Sequence, residues 1–330
     1  MMTKLPLDSE YLQGSGKVES VRQAFGKKLT ELARVDSRIV AMSADLASSV
    51  GLDLFRQNLG KRYVEVGIAE QNLVTVASGI ASTGKIVFAA SYAAFNPGRN
   101  WEQIRTSICL NDQPVVIVGS HTGLNVGADG GSHQMLEDIA LMQVLPNMVV
   151  LAPADANEVQ AMLPAIVKLA KPVYLRMPRC DILTVIGSRD DFEIGKAYLI
   201  HADDNPEVTI ISTGSMVANS LEAARQLSNR GIKSELLYVP TIKPLDINSI
   251  LDSVERTRKV VVIEEHQIIG GLGSTVASQL LSSGSRVDKF QIIGVDNQFG
   301  QTGSLSELWH HYGLDIDSLI KKIAEFTGRD

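Results

Sequence analysis

The chain has 330 residues, 45% of them hydrophobic and 21% charged, with a formal net charge of −6. That length suits two ordinary domains with real cores, and the acidic balance argues against a nucleic-acid surface, which needs clustered Lys and Arg. No apolar run reaches the ~18–20 residues of a membrane span, and the first residues lack the apolar core of a signal peptide. Two cysteines, Cys109 and Cys180, with no C-x-x-C pair, point to core thiols in a reduced, cytoplasmic protein.

In chain order, the first half alternates short apolar runs with helical spacing. RIVAM (38–42), YVEVG (63–67), KIVFAA (85–90), PVVIVGS (114–120), MVVLAPA (148–154) and PVYLRM (172–177) read as strands. They are rich in Val and Ile and poor in alternation, as strands buried on both faces should be. Between them, Ser20–Leu32, Glu70–Ser82, Arg99–Cys109 and Asn157–Leu169 carry helical periodicity. This is the pattern of parallel α/β units.

Near residue 185 the texture changes to the polar TVIGSRDDFEIG, and then the alternation restarts. VTIIST (208–213), SELLYV (234–239), KVVVIEE (259–265) and KFQIIGV (289–295) read as strands. Val217–Leu227, Gly273–Leu281 and Ile316–Phe326 read as helices. Two α/β domains are therefore expected, 1–187 and 188–330, with a loosely ordered lead-in up to about residue 16.

Two glycine-rich stretches resemble nucleotide sites. GGLGS (270–274) lacks the full G-x-G-x-x-G spacing and its acidic partner, so it reads as a tight strand-to-helix turn. VGADGGSHQ (126–134) has no Lys-Ser or Lys-Thr after it and no D-x-D-x-D-G pattern. That argues against a Walker loop and a calcium loop, although Asp129 and His133 remain conceivable ligands.

Four places carry candidate chemistry. Glu70 follows YVEVG at the start of a predicted helix, near the strand ends that face the ligand crevice of α/β sheets. A carboxylate there is either a first-turn helix stabiliser or a proton-handling group. SYAAFNPGRNW (91–101) clusters Tyr92, Phe95 and Trp101, which form either core or a flat platform for a heterocycle. His121, Asp129 and His133 follow PVVIVGS in a glycine-rich loop, where histidines suit proton transfer or hydroxyl binding. Arg176, in LRMPR, closes a strand and suits a phosphate or carboxylate, or else a surface salt bridge.

VGIAEQN, SYAAF, GSHTGLNVGADGGSHQ, LAPAD, YLRMPR and EEHQIIGGLGS resemble the C-terminal half of transketolase, in order, from about Val18 to the last helix. The resemblance implies a pyrimidine-binding domain followed by a transketolase C-terminal domain, with thiamine diphosphate as cofactor. In that family a separate domain holds the diphosphate through a G-D-G…N motif and a divalent metal. This chain carries no such unit, so it looks like the C-terminal subunit of a split transketolase. A partner N-terminal subunit would hold Mg2+ or Ca2+, and the assembly would be an α2β2 heterotetramer acting on sugar phosphates.

Carried over by resemblance, Glu70 is the activating glutamate. A carboxyl group bonded to N1′ of the pyrimidine favours its imino tautomer, and a poorly solvated one with a raised pKa can share that proton. Phe95 stacks on the pyrimidine, with Tyr92 lining the pocket, and Asp45 lies near the cofactor. Arg22, Ser49 (with Ser48 competing), His121 and Arg176 form a cationic cup for a terminal phosphate. Asp129 and His133 bind the ketose hydroxyls. The glycines around them let the backbone pass close to cofactor and substrate. The expected reaction is two-carbon ketol transfer, among ordinary pentose phosphates or among branched or sulfonated sugars. The alternatives are a 2-oxo acid dehydrogenase E1β-type subunit, a deoxyxylulose phosphate synthase-like subunit, a non-catalytic assembly subunit, or a dinucleotide-binding protein.

Overall fold

The computed structural model describes residues 3–329. The expected strands form at their expected places: β1 (Ile39–Ser43), β2 (Tyr63–Glu65), β3 (Ile86–Tyr92), β4 (Val115–Ser120), β5 (Val149–Leu151) and β6 (Val173–Arg176). The second half adds β7 (Tyr198–Ala202), β8 (Val208–Ser212), β9 (Ser234–Tyr238), β10 (Thr241–Lys243), β11 (Lys259–Gln267) and β12 (Lys289–Val295).

The first sheet has the order β10-β5-β6-β4-β3-β1-β2, parallel except for β10. The second has the order β12-β11-β8-β9-β7, parallel except for β7. All six residues of β4 are buried, because helices cover both faces of the sheet. One apolar cluster runs through both units, joining Met42, Val87 and Ile117 to Ile211, Leu237 and Val262.

The lead-in and the edge of the first sheet depart from expectation. The lead-in is tied down: Leu5 N–H donates to Leu199 O (3.1 Å), Asp8 N–H donates to Val185 O (2.9 Å), and Leu5 is buried. β10 comes from the second half but pairs antiparallel with β5, so the first sheet borrows its last strand across the expected boundary.

The helix expected over Arg99–Cys109 starts later, at Trp101, and continues as a π-helix over Ile104–Cys109. Arg99 and Asn100 are held out of it by bonds to Glu70. The turn at 270–274 is internally satisfied. The buried Glu264 carboxylate accepts from Leu272 N–H (2.7 Å) and Gly273 N–H (2.9 Å), taking the amides a phosphate would need.

Candidate active site

Parallel registry sets the site. Ser43 pairs with Glu65 and with Ala90, and Tyr92 pairs with Ser120. The chain leaving β1, β2, β3 and β4 therefore emerges along one edge of the sheet, the crevice side of α/β folds. Tyr92 closes β3, and Asp45, Glu70, Phe95 and His121 follow these strand ends.

Glu70 begins the helix Glu70–Ala81 and is 1% exposed. Its Oε2 accepts from Arg99 Nη1 at 2.8 Å, and its Oε1 has the Ser91 hydroxyl at 3.4 Å. Asn100 Nδ2 donates to the Glu70 backbone carbonyl (2.9 Å) and to Asn96 Oδ1 (2.9 Å), while Asn96 Nδ2 donates to Ala89 O (3.0 Å). The carboxyl is therefore poorly solvated, as expected, but it is ion-paired rather than alone. The Arg99 guanidinium also lies over the Phe95 ring, 4.7 Å from its centroid. Arg99 thus makes the two contacts, aromatic face and carboxylate, that a flat N–H-bearing heterocycle would make.

The aromatic residues gather at this edge as a platform. Tyr92 stacks on His121 (centroids 3.7 Å apart) and, offset, on Phe95 (6.1 Å). His133 presents its edge to Phe95 (5.5 Å) and to Tyr92 (6.3 Å). Trp101 turns away, its indole N–H donating to Leu141 O at 2.7 Å.

His121 is only 2% exposed, and its Nδ1 contacts Ser120 Oγ at 2.9 Å. Burial, then the charges of Arg22, Arg179 and His133, push its pKa down to about 3. It is a neutral imidazole at physiological pH. That corrects its expected place as a cation in the cup or a near-neutral proton shuttle.

Arg22, in the helix Val21–Val35, donates through Nη1 to the Ser49 backbone carbonyl, and its buried Nε has no partner among the described residues. The Ser48 hydroxyl is held by Asp53 Oδ1 at 2.8 Å, which leaves Ser49 as the serine beside Arg22. Asp45 is exposed at φ +61°, its N–H donating to Glu65 Oε1 (2.7 Å). Glu65 also accepts from Tyr63 Oη (2.7 Å).

Arg176 does not join them. It is 4% exposed, its Nε donates to Asp138 Oδ2 (2.8 Å) and its Nη2 to Glu265 O (2.8 Å). Tyr174 Oη donates to the same Asp138 oxygen at 2.7 Å. Arg176 is a buried structural cation between the two units. Arg179, three residues on, donates to Val126 O and lies 4.0 Å from Asp129. β6 ends at Arg176 and Pro178 keeps the chain from rejoining the ladder, so Arg179 lies off the strand; the proline is the sequence signal for it. Arg99, Asn96 and Asn100 were also missed, although polar residues inside an aromatic strand-end run flag a buried network.

Cys109 is buried, whereas Cys180 is half-buried at the edge of the site, its thiol donating to Asn125 O at 3.2 Å. Among the described residues no group of three His, Cys, Asp or Glu gathers around a metal-sized gap, and no helix is long and apolar enough to cross a membrane.

With this geometry in place, comparison with known proteins is specific. Residues 18–183 match the transketolase pyrimidine-binding domain and residues 195–319 the transketolase C-terminal domain. The putative transketolase C-terminal section of Methanocaldococcus jannaschii is 41% identical over 94% of this chain and 97% of its own. The 6-deoxy-6-sulfo-D-fructose transketolase subunit SqwH of a Clostridium strain is 36% identical over 94% of this chain and 95% of its own. A 1-deoxy-D-xylulose-5-phosphate synthase from Desulforudis audaxviator is 35% identical over 92% of this chain, which spans only 47% of that protein. A solved split-gene transketolase, described as an inactive β4 tetramer, superposes with a TM-score of 0.86 at 36% identity, covering 94% of this chain and 99% of that one. The chain belongs to the transketolase family, and its relatives include the C-terminal subunits of split transketolases.

Proposed function

We propose that this chain is the pyrimidine-holding subunit of a thiamine diphosphate-dependent transketolase. It moves a two-carbon ketol unit from a ketose phosphate to an aldose, with a partner chain supplying the diphosphate and metal site as an α2β2 assembly. One observation carries the reading: the buried Glu70 carboxylate and the Phe95 face lie at one strand edge, with His133 against the same ring.

These residues fit the cofactor. Glu70 Oε1, with only a 3.4 Å contact from Ser91, is a buried acceptor suited to the pyrimidine N1′ edge. Phe95 offers its face, Tyr92 walls the pocket, and Asp45 stands at the mouth. Bound thiamine diphosphate supplies the nucleophilic carbon and the electron sink for breaking a carbon–carbon bond. Arg22, Ser49 and Arg179 form the anion cup, and neutral His121 lends it hydrogen bonding without charge. Asp129 and His133 read hydroxyls, which penalises a substrate that lacks or inverts them. The domain division at 187/188 belongs to the same reading.

The relative named for a sulfonated fructose supports a cup that accepts terminal anions other than phosphate. The synthase relative keeps a pyruvate-dependent reaction as the second reading. The test is turnover by the complex with its N-terminal partner. Ketose-phosphate turnover with an aldose acceptor, reduced about 100-fold or more by Glu70→Gln, is expected. Pyruvate-dependent condensation in its place selects the synthase reading. A wild-type rate from Glu70→Gln selects an assembly subunit.

A further inference from the structure

The segment 123–136 does not hold its shape alone. The second unit is pressed against it through residues 300–303. A Cβ on Gly131 would lie 2.6 Å from Gly300 O, and one on Gly130 would lie 2.7 Å from Thr302 Oγ1. A Cβ on Gly127 would lie 3.3 Å from Gly303 O. The glycines of GADGG therefore admit another stretch of protein.

Gln134 joins the two segments. It is buried, and its Nε2 donates to Gln301 O at 3.0 Å, with the loop's own Gly127 O at 3.5 Å. The N–H groups of His133 and Gln134 both donate to Gly130 O, at 3.0 and 3.1 Å. Farther along, Gln267 N–H donates to Leu136 O at 2.8 Å. Asp129 and His133 lie between these anchors, and the first unit reaches the same segment where Arg179 donates to Val126 O and Cys180 N–H to Asn125 Oδ1.

We propose that Gln134, braced by the Gly300–Thr302 segment, is a positioning residue. It sets where Asp129 and His133 meet the substrate, and the second unit thereby fixes specificity without contacting ligand. This rests on the reading that those two side chains contact the ketose. Misplacing such groups by a fraction of an ångström weakens substrate recognition while leaving distant contacts intact.

Gly300 supplies the test, because it lies outside the proposed ligand contacts and does not have a positive φ. A methyl there would fall 1.7 Å from Gln134 Oε1 and must push that side chain aside. In the complex with the partner subunit, Gly300→Ala and Gln134→Ala are each expected to raise the ketose KM about five-fold or more. Thiamine diphosphate affinity should change less than about two-fold. The double variant should be no worse than Gln134→Ala alone, since truncating Gln134 makes room for the methyl. A fall in melting temperature with ketose KM unchanged overturns the proposal, as does a parallel loss of cofactor affinity. Hydrogen exchange on the chain alone separates this from the functional reading. Faster exchange over 126–134 in Gly300→Ala supports the brace even if the wild-type complex turns over no ketose, in which case the functional reading fails. Unchanged exchange there sinks the brace.

Discussion

Arg99 Nη1 donates to Glu70 Oε2 at 2.8 Å, joining a half-exposed cation to a carboxylate that is 1% exposed. The pair is unequal. Glu70 has been desolvated and relies on its partner, whereas Arg99 keeps water on one side. Removing Arg99 strands a buried charge, and removing both partners strands nothing. Arg99→Ala is therefore expected to destabilise the chain by about 1–3 kcal/mol in urea unfolding. In a Glu70→Gln background the same change should cost less than half as much. Equal costs in the two backgrounds would show the pair to be uncoupled.

Phe95 carries a separate expectation. It contacts Arg99 with its face and His133 with its edge. Phe95→Leu keeps apolar volume and removes the flat surface. An aromatic stacking contact contributes about 0.5–1.5 kcal/mol beyond burial, so cofactor affinity in the complex should fall about two- to thirteen-fold. Calorimetric titration with thiamine diphosphate measures it, and unchanged affinity would move the stacking role elsewhere.

His121 makes a prediction about acid. Its pKa is pushed from 6.5 to about 3 in the fold. The unfolded chain therefore takes up the proton first, and protons favour unfolding. The contribution is complete above pH 6.5 and is lost as pH falls toward 3. His266, pushed down to about 4 by burial, acts in the same direction. Asp155 and Glu264, raised to about 7 by burial, act oppositely, stabilising more as pH falls from 7 towards the ordinary carboxylate range. The readout is thus the difference between wild type and His121→Asn. The variant should lose less stability than wild type between pH 7 and pH 4.5. Equal losses would mean that His121 titrates normally.

The strands were legible because parallel strands covered on both faces read as unbroken Val- and Ile-rich runs, as β4 does. β10 was not, being three residues between Pro240 and Pro244 whose pairing with β5 lies far away in sequence. β7 is an antiparallel edge with mixed burial, too weak a pattern against its polar surroundings. At the site, Glu70, Phe95, His121 and His133 were visible because each lies within about a dozen residues of a strand end, where position alone predicts a crevice. Arg99 and Asn100 were not, since their meaning lies in Glu70, 29 and 30 residues before them. The brace on Gln134 was out of reach for the same reason, its partner Gln301 being 167 residues away.

Arg176 and Arg179 were the hardest to tell apart, three residues apart in LRMPR with the same charge. The sheet separates them. Arg176 is the last residue of β6, opposite Gly119, and points inward to Asp138 and Tyr174. Arg179 lies past Pro178 beside Asp129 and is 39% exposed. The same substitution should therefore fail in two different ways. Arg176→Ala leaves Asp138 buried without its cation and is expected to cost about 3–5 kcal/mol, seen as lost soluble chain or a lowered urea midpoint before any assay. Arg179→Ala removes a partly solvated cation and should leave unfolding within about 1 kcal/mol of wild type. In the assembled complex it should raise the KM for a phosphorylated ketose about ten-fold or more, with a smaller effect on the unphosphorylated sugar. If Arg179→Ala still discriminated between the two sugars as well as wild type does, the terminal anion would not rest on Arg179, and the cup would reduce to Arg22 and Ser49.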